Sequence, residues 1–245
     1  MSKPLSLIAM WILFSAICVA GEKENKAITQ ISPQASAVDS SVGFIDGKKY
    51  LAALIYDESE HSTALVVFEL DQAEGYKIRA KSGGSGLDHE RWYEKSVKIK
   101  NNSVYLSIRG NGGCCSDYFS QYQFKPKNGI FTLVGLESSE TGIESKNDSS
   151  GIAIDEEYIS YSYGTSTNYL AGVVSHWRMQ APSSSKGAFK DDISTIKVGK
   201  KRVENRFNFI TKNTVLLEGF DVWNYSDNEP KHLGGYFDQS FKYHE

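Results

Sequence analysis

Two adjacent cysteines are the residues with the most distinctive chemistry in this chain. Cys114 and Cys115 follow a pair of glycines. A trans peptide holds neighbouring Cα atoms about 3.8 Å apart, below the usual span of a disulfide, so a bond between them would be strained. The third cysteine, Cys18, lies in a segment that we expect to be removed. Two states remain open: a vicinal disulfide that stiffens the loop, or two reduced thiols packed as small apolar side chains.

The cysteine pair lies among aromatic and charged residues. Tyrosine, tryptophan and arginine are the residue types that contribute most to protein interfaces. This composition predicts a contact surface for a protein partner, built from the loop at 110–119 and the aromatic pair before it. The predicted binding residues are Trp92, Tyr93, Arg109, Cys114, Cys115, Asp117, Tyr118 and Phe119.

Catalytic and metal-binding spacings are missing from the sequence. The five histidines form neither a helical metal pair nor part of a cysteine-rich zinc pattern. The run from Gly83 to Gly86 resembles a nucleophile elbow, but Leu87 stands where that motif requires its second glycine. We therefore predict no catalytic residues, no metal and no cofactor. The segment Asp88–Glu90 is the best candidate for an acid and base if the protein is a hydrolase.

The composition is that of an ordinary globular protein. Of 245 residues, 40% are hydrophobic and 23% are charged, which excludes a disordered or collagen-like chain. The formal net charge is −3, so no overall basic field points to a nucleic-acid partner. Aromatic residues make up 12% of the chain, and this favours β-structure.

Residues 1–20 have the pattern of a secretory signal peptide. Lys3 supplies a positive start, and the run from Leu5 to Ala20 is apolar apart from two serines. This run is shorter than the roughly 20 apolar residues that span a bilayer, and polar residues follow it. We expect cleavage after Ala20, export to the periplasm and no transmembrane segment in the mature chain. Residues 21–40 lack periodicity and are expected to be a flexible leader.

The rest of the chain alternates apolar and polar residues with a period of two. Val97–Lys100, a turn at Asn101-Asn102 and Val104–Arg109 are typical of a hairpin, and Asp46-Gly47 and Asn128-Gly129 predict further turns. The fold class is therefore all-β: antiparallel hairpins forming a sandwich, a barrel or a partial propeller-like arrangement. We expect one β-rich domain over 41–245. Exposed loops or boundaries are expected at 137–151 and, with more reason to divide the domain, at 181–192.

Several segments resemble uncharacterised secreted bacterial β-sheet proteins. The similarity lies in Gly112–Tyr118, Tyr122–Phe124 and Gly129–Gly135, with a second piece at Asn168–Gly172. The resemblance covers a minority of the chain and carries no catalytic motif. It implies a β fold, export, and a strand–loop–strand unit that ends in an aromatic strand.

Export, a β scaffold with aromatic loops and the lack of a catalytic set together indicate a binding function. The first hypothesis is a periplasmic binding protein that acts by steric occlusion: an inhibitor or immunity protein that neutralises a toxin or hydrolase of the cell envelope. The alternative is a carbohydrate- or peptidoglycan-binding module that stacks sugars on aromatic rings. Its expected stacking residues are Trp92, Tyr93, Trp177 and Trp223. An envelope hydrolase is the third hypothesis.

Overall fold

The computed structural model is built almost entirely from β-strands. It describes residues 24–71, 75–83, 93–111, 116–147, 153–180, 185–186, 202–208 and 214–222. One short helix, α1, spans residues 24–29. The strands are β1 (Ala35–Ile45), β2 (Lys48–Asp57), β3 (Ser62–Asp71), β4 (Gly75–Lys81), β5 (Tyr93–Lys100), β6 (Ser103–Asn111), β7 (Ser116–Lys127), β8 (Ile130–Asn147), β9 (Ala153–Asn168), β10 (Val173–Gln180), β11 (Ser185–Lys186) and β12 (Arg202–Asn208).

The hairpin turns expected from the sequence are confirmed. Each needs backbone with positive φ, which asparagine, aspartate and glycine tolerate best. The φ angles are 49° and 79° at Asp46-Gly47, 50° and 54° at Asn101-Asn102, and 54° and 81° at Asn128-Gly129. Each of these pairs joins two antiparallel strands that are neighbours in the chain.

The strands form two antiparallel sheets. The small sheet has the order β1-β2-β3-β4, and the long sheet has the order β12-β10-β9-β8-β7-β6-β5, with β11 also paired to β9. Both sheets are largely meanders, because most strands pair with the strand that precedes or follows them in the chain. This explains why alternation and turn residues were sufficient to predict the fold class.

The two sheets pack face to face, so the structure adopts the sandwich among the three arrangements expected. The shared core joins Leu54, Leu65 and Val67 of the small sheet to Leu106 and Phe124 of the long sheet, all fully buried. Side chains alternate along each strand. Each sheet therefore has an inner face toward this core and an outer face away from it.

The outer face of the small sheet is covered by the start of the chain. Ala27 and Ile28 of α1 are buried in a second apolar cluster with Leu51, Val66 and Phe68. The structure thus differs from the expected flexible leader at 21–40: residues 24–29 are helical, and β1 begins at Ala35. Two adjacent apolar residues are too few to show a helical period, so no helix was expected there.

One side of the sandwich is closed where β1 meets β5. Asp39 Oδ2 accepts a hydrogen bond from the backbone N–H of Val97 at 2.7 Å, and Ser41 Oγ accepts one from Ile99 at 3.0 Å. Two side chains of β1 thus take the place of a neighbouring strand. Gly43 permits this approach, because a Cβ there would lie 2.6 Å from Ile99 Cγ2.

The opposite side is closed by residues 214–222, which we call the strap. The strap pairs with the first half of β8: Leu133 N–H donates to the carbonyl of Val215, and Leu217 N–H donates to the carbonyl of Phe131, each at 2.8 Å. Its end contacts the small sheet, where Gly83 N–H donates to the carbonyl of Phe220 at 2.9 Å. The strap therefore joins both sheets.

The boundary expected at 137–151 is a strand over most of its length. β8 continues to Asn147 and pairs with β7 on one side and β9 on the other. Its polar side chains bond across the sheet, as between Ser138 Oγ and Thr165 Oγ1 at 2.7 Å. Most of the boundary expected at 181–192 lies outside the described residues. Within the part of the chain that the structure describes, we find no helix long and apolar enough to span a membrane.

Candidate functional site

Four of the predicted binding residues lie at one end of the β6–β7 hairpin. Arg109 is on β6, while Asp117, Tyr118 and Phe119 follow one another on β7. Trp92, Cys114 and Cys115 lie outside the described residues, so the state of the cysteine pair stays a prediction. Tyr93 begins β5, where its backbone pairs with Gly110.

An ion pair connects the two strands at the base of the cysteine segment. The guanidinium of Arg109 donates from Nε and Nη2 to Asp117 Oδ2, at 2.8 and 2.5 Å. The Arg109 side chain is 45% exposed, and such a pair stabilises a fold only slightly. Its main effect is on the position of the strands, because it connects β6 to β7 at the two ends of residues 112–115.

The predicted residues do not form a single patch. Arg109, Asp117 and Phe119 lie on the outer face of the long sheet, whereas Tyr118 lies on the inner face with the core residue Tyr122. The reason is the period of two along a strand, which sends neighbouring side chains in opposite directions. This run was expected to form one surface, but the strand divides its side chains between two faces of the sheet.

Tyr118 belongs to a different cluster, which we call the aromatic row: Tyr118, Glu140 and Tyr163. In register, Tyr118 is opposite Glu140, and Glu140 is opposite Tyr163. Adjacent strands are about 4.8 Å apart, so the two tyrosines are about 10 Å apart with the carboxylate between them. The Tyr163 hydroxyl donates to Glu140 Oε2.

The aromatic row lies on the inner face but beyond the core. The last core residues on these strands are Tyr122 and Leu136, four residues or about 13 Å from the row. Tyr118 is 43% exposed and Tyr163 is 41% exposed. Large apolar rings that remain open to solvent beside a carboxylate are an arrangement suited to binding.

His176 lies near the row and is held neutral. It is opposite Thr165 on the neighbouring strand, two residues from the level of Tyr163. Burial lowers the pKa of His176 below its usual value, since a charged ring would lose its hydration. Glu140 is the acidic member of the row, and Arg178 on β10 is opposite Tyr163 in the same register.

Sequence reasoning missed Glu140 and Tyr163. Both were visible as an acid and an aromatic, but Glu140 fell within the loop expected at 137–151, and nothing along the chain linked Tyr163 to it. The signal that links them to Tyr118 is the register of three strands, which cannot be read along the chain.

Trp177 does not offer a stacking surface. It is 5% exposed and packs over Gly164 on the outer face of the long sheet, where a Cβ would lie 2.7 Å from the indole Cζ2. Trp223 and the segment Asp88–Glu90 lie outside the described residues. Among the residues that are described, no three His, Cys, Asp or Glu side chains converge in a way that could hold a metal ion.

We found no match to the chain among protein-family models, curated proteins or solved structures. The resemblance to secreted bacterial β-sheet proteins therefore stays a prediction. Function has to be argued from the surfaces of the molecule.

Proposed function

We propose that the protein is an exported binding protein that grips a protein partner and blocks it sterically, as an inhibitor or immunity protein does. The observation that carries the proposal is the exposed aromatic row. Tyrosine offers a large contact area with few rotatable bonds, and it is enriched among the residues that dominate binding energy. A carboxylate between two rings suits a cationic side chain, which gains both an ion pair and ring contact.

The partner proposed here presents a lysine or arginine to the row. The chain has a formal net charge of −3, which favours encounter with a basic surface. The Arg109–Asp117 pair supports the proposal from the other face of β7, because it fixes the strands that carry Tyr118. A surface that is rigid before binding loses less entropy when the complex forms.

The proposed location is the periplasm, from the signal peptide expected at residues 1–20. A partner in that compartment would be a toxin or hydrolase that acts on the cell envelope. Occlusion needs no catalytic group in the binding protein, and the aromatic row supplies none.

The experiment is affinity capture from periplasmic extract with the wild-type protein and single variants. We expect Tyr118→Ala and Tyr163→Ala each to weaken binding of the captured protein by roughly 10- to 100-fold, since central aromatic contacts contribute about 2 kcal/mol or more. Phe44→Ala is the matched control, because Phe44 is an aromatic residue 64% exposed on the small sheet. The wild-type protein should also inhibit the activity of the purified partner.

Glu140→Gln tests the cationic contact separately. It keeps the side-chain shape and removes the charge, so we expect weaker binding and a smaller loss of affinity as salt is raised. The proposal fails if the row variants and Phe44→Ala capture the same protein equally well. It also fails if the captured protein keeps full activity in the complex.

A further inference from the structure

The outer face of the long sheet carries a groove that the aromatic row does not use. The groove has a volume of about 460 Å³ and crosses β6 to β10. This volume lies within the ~300–1,000 Å³ usual for small-molecule sites. We propose that this groove is a second binding site, for a neutral oligosaccharide.

The floor of the groove is open because of a glycine. Gly135 is opposite Gln123 on one side and Asn168 on the other. A Cβ at this position would lie 3.0 Å from Gln123 Oε1, so the glutamine amide reaches over the glycine. The groove is therefore shaped by side chains from three strands around one missing side chain.

Two glutamines present their amides in the same direction. Gln121 Nε2 donates to Ser107 Oγ at 2.8 Å, and Gln123 Nε2 donates to Ser103 Oγ at 2.9 Å. With its NH₂ group fixed toward β6, Gln123 directs its carbonyl oxygen toward Gly135 of β8. Holding an amide in place before binding reduces the entropy lost when a ligand hydroxyl donates to it.

A second row of polar groups faces these amides. Ser166 Oγ donates to Glu137 Oε2, and Ser175 is opposite Ser166 on the next strand. Amide, carboxylate and hydroxyl groups together offer both donors and acceptors. A sugar hydroxyl donates and accepts at the same time, so a line of such groups matches a chain of hydroxyls.

The two ends of the groove are also ordered. Asn168 Oδ1 accepts from Ala171 N–H at 2.9 Å and fixes the β9–β10 turn. At the other end lies Tyr105, with Lys100 Nζ 4.5 Å from its ring centroid. Only the ring face that Lys100 leaves uncovered provides a surface for the apolar C–H face of a sugar.

The charge of the residues that line the groove indicates which class of ligand binds there. Glu137 is the one charged residue among the described residues that line the groove. Because the described lining carries this one carboxylate and no basic side chain, it disfavours phosphate and other anions. Its hydrogen bond from Ser166, and the two amides beside it, favour a neutral polyhydroxylated ligand over a cation.

The experiment is calorimetric titration of the purified protein with chitotriose, cellotriose, maltotriose and xylotriose, supported by pelleting on the corresponding insoluble polymers. We expect at least one of these sugars to bind, and Gly135→Ala and Gln121→Ala each to weaken binding about tenfold. The one close contact of a methyl group at position 135 is with the flexible end of Gln123, at 3.0 Å, so the fold is retained; an unchanged melting temperature verifies this. Gln34→Ala, a change at an exposed glutamine before β1, is the matched control.

Two further readouts keep the result separate from the protein-binding proposal. Tyr118→Ala should leave sugar affinity unchanged, because Tyr118 lies on the opposite face of the sheet. Affinity should also stay the same between low and high salt, since the ligand is neutral. The groove proposal is overturned if none of the four sugars binds, if Gly135→Ala and Gln121→Ala bind like Gln34→Ala, or if binding requires low salt.

Discussion

Gly164 shows how a single residue fixes the packing of the long sheet. A Cβ there would lie 2.1 Å from the carbonyl oxygen of Ser138 and 2.7 Å from the Trp177 ring. The first of these atoms is backbone within a paired strand and has no room to move. We expect Gly164→Ala to lower the free energy of unfolding by about 3 kcal/mol, measured by urea denaturation.

Gly135→Ala is the control for that measurement. It adds the same methyl group on the neighbouring strand, but the atom it meets is the end of the Gln123 side chain. We expect a change below about 1 kcal/mol. Equal losses in the two variants would show that the close contact at Gly164 is not the cause.

Glu69 makes the free energy of unfolding depend on pH. Its carboxylate bonds to Lys48 Nζ and to Arg79 Nε, each at 2.7 Å. The hydrogen bond from Lys48 is the main reason that the pKa of Glu69 is below its usual value. A carboxyl with a lowered pKa in the folded state stabilises it at neutral pH, and this contribution is lost as the pH falls below about 4.

We therefore expect Glu69→Gln to lower the free energy of unfolding by about 0.5–1 kcal/mol at pH 7, since both ion pairs are partly open to solvent. At about pH 2 the difference between the variant and the wild type should be smaller, because protonation of Glu69 as the pH falls removes both ion pairs. The measurement is urea denaturation at both pH values, with Glu58→Gln at the exposed β2–β3 turn as the charge control. A difference that is undiminished at low pH would contradict the ion-pair explanation.

At the scale of the strands, the hairpin turns were predictable from the sequence, but the second half of β8 was not. Asp46-Gly47, Asn101-Asn102 and Asn128-Gly129 carry their turn preference in their own residue types. β8 was predicted only in its first part, because its second half is rich in serine and glutamate and has no apolar alternation. That half is a strand because β7 and β9 form hydrogen bonds with it on both sides. This pairing cannot be predicted from the residues of β8 alone.

The same limit explains the candidate site. Arg109, Tyr118 and Phe119 were found from residue type near a distinctive loop. Glu140 and Tyr163 lie 22 and 45 positions beyond Tyr118 in the printed sequence. Only the register of β7, β8 and β9 brings the three residues into one row.

The junction of β1 and β5 is the element that most needs testing. Asp39 takes the place of a strand carbonyl by accepting from Val97 N–H. We expect Asp39→Ala to lower the free energy of unfolding by about 1–2 kcal/mol, because a partly buried amide loses its partner. Hydrogen exchange of the Val97 amide should also accelerate.

Ser40→Ala is the control for the junction, since Ser40 lies between the two bonding residues and is exposed. It should leave both stability and exchange at Val97 unchanged. Unaltered protection of Val97 in Asp39→Ala would mean that the side-chain bond does not hold the edge of β5.

At the scale of the molecule, the small sheet supports the long sheet and leaves much of it open. It covers the inner face only as far as Tyr122 and Leu136, so the aromatic row remains accessible beyond it. The outer face keeps the polar groove. One sheet thus displays two chemically different surfaces on opposite sides, and a ligand on one leaves the other free.

The strap contacts both sheets, and we expect it to make them unfold in a single transition. Leu217 is fully buried in the shared core, while its neighbour Leu216 is 39% exposed. Leu217→Ala removes core volume at the point where the strap joins β8 to the end of β4, and we expect it to lower the free energy of unfolding by about 2–5 kcal/mol. Leu216→Ala deletes the same atoms from a position that is 39% exposed and should cost less than about 1 kcal/mol. Urea denaturation followed by tryptophan fluorescence and by far-ultraviolet circular dichroism measures both variants. If the strap holds the sheets together, the two signals coincide in the wild type and separate in Leu217→Ala, because the sheets no longer unfold in one transition. Coincident transitions at the wild-type midpoint in Leu217→Ala would show that the core between the sheets holds them together without the strap.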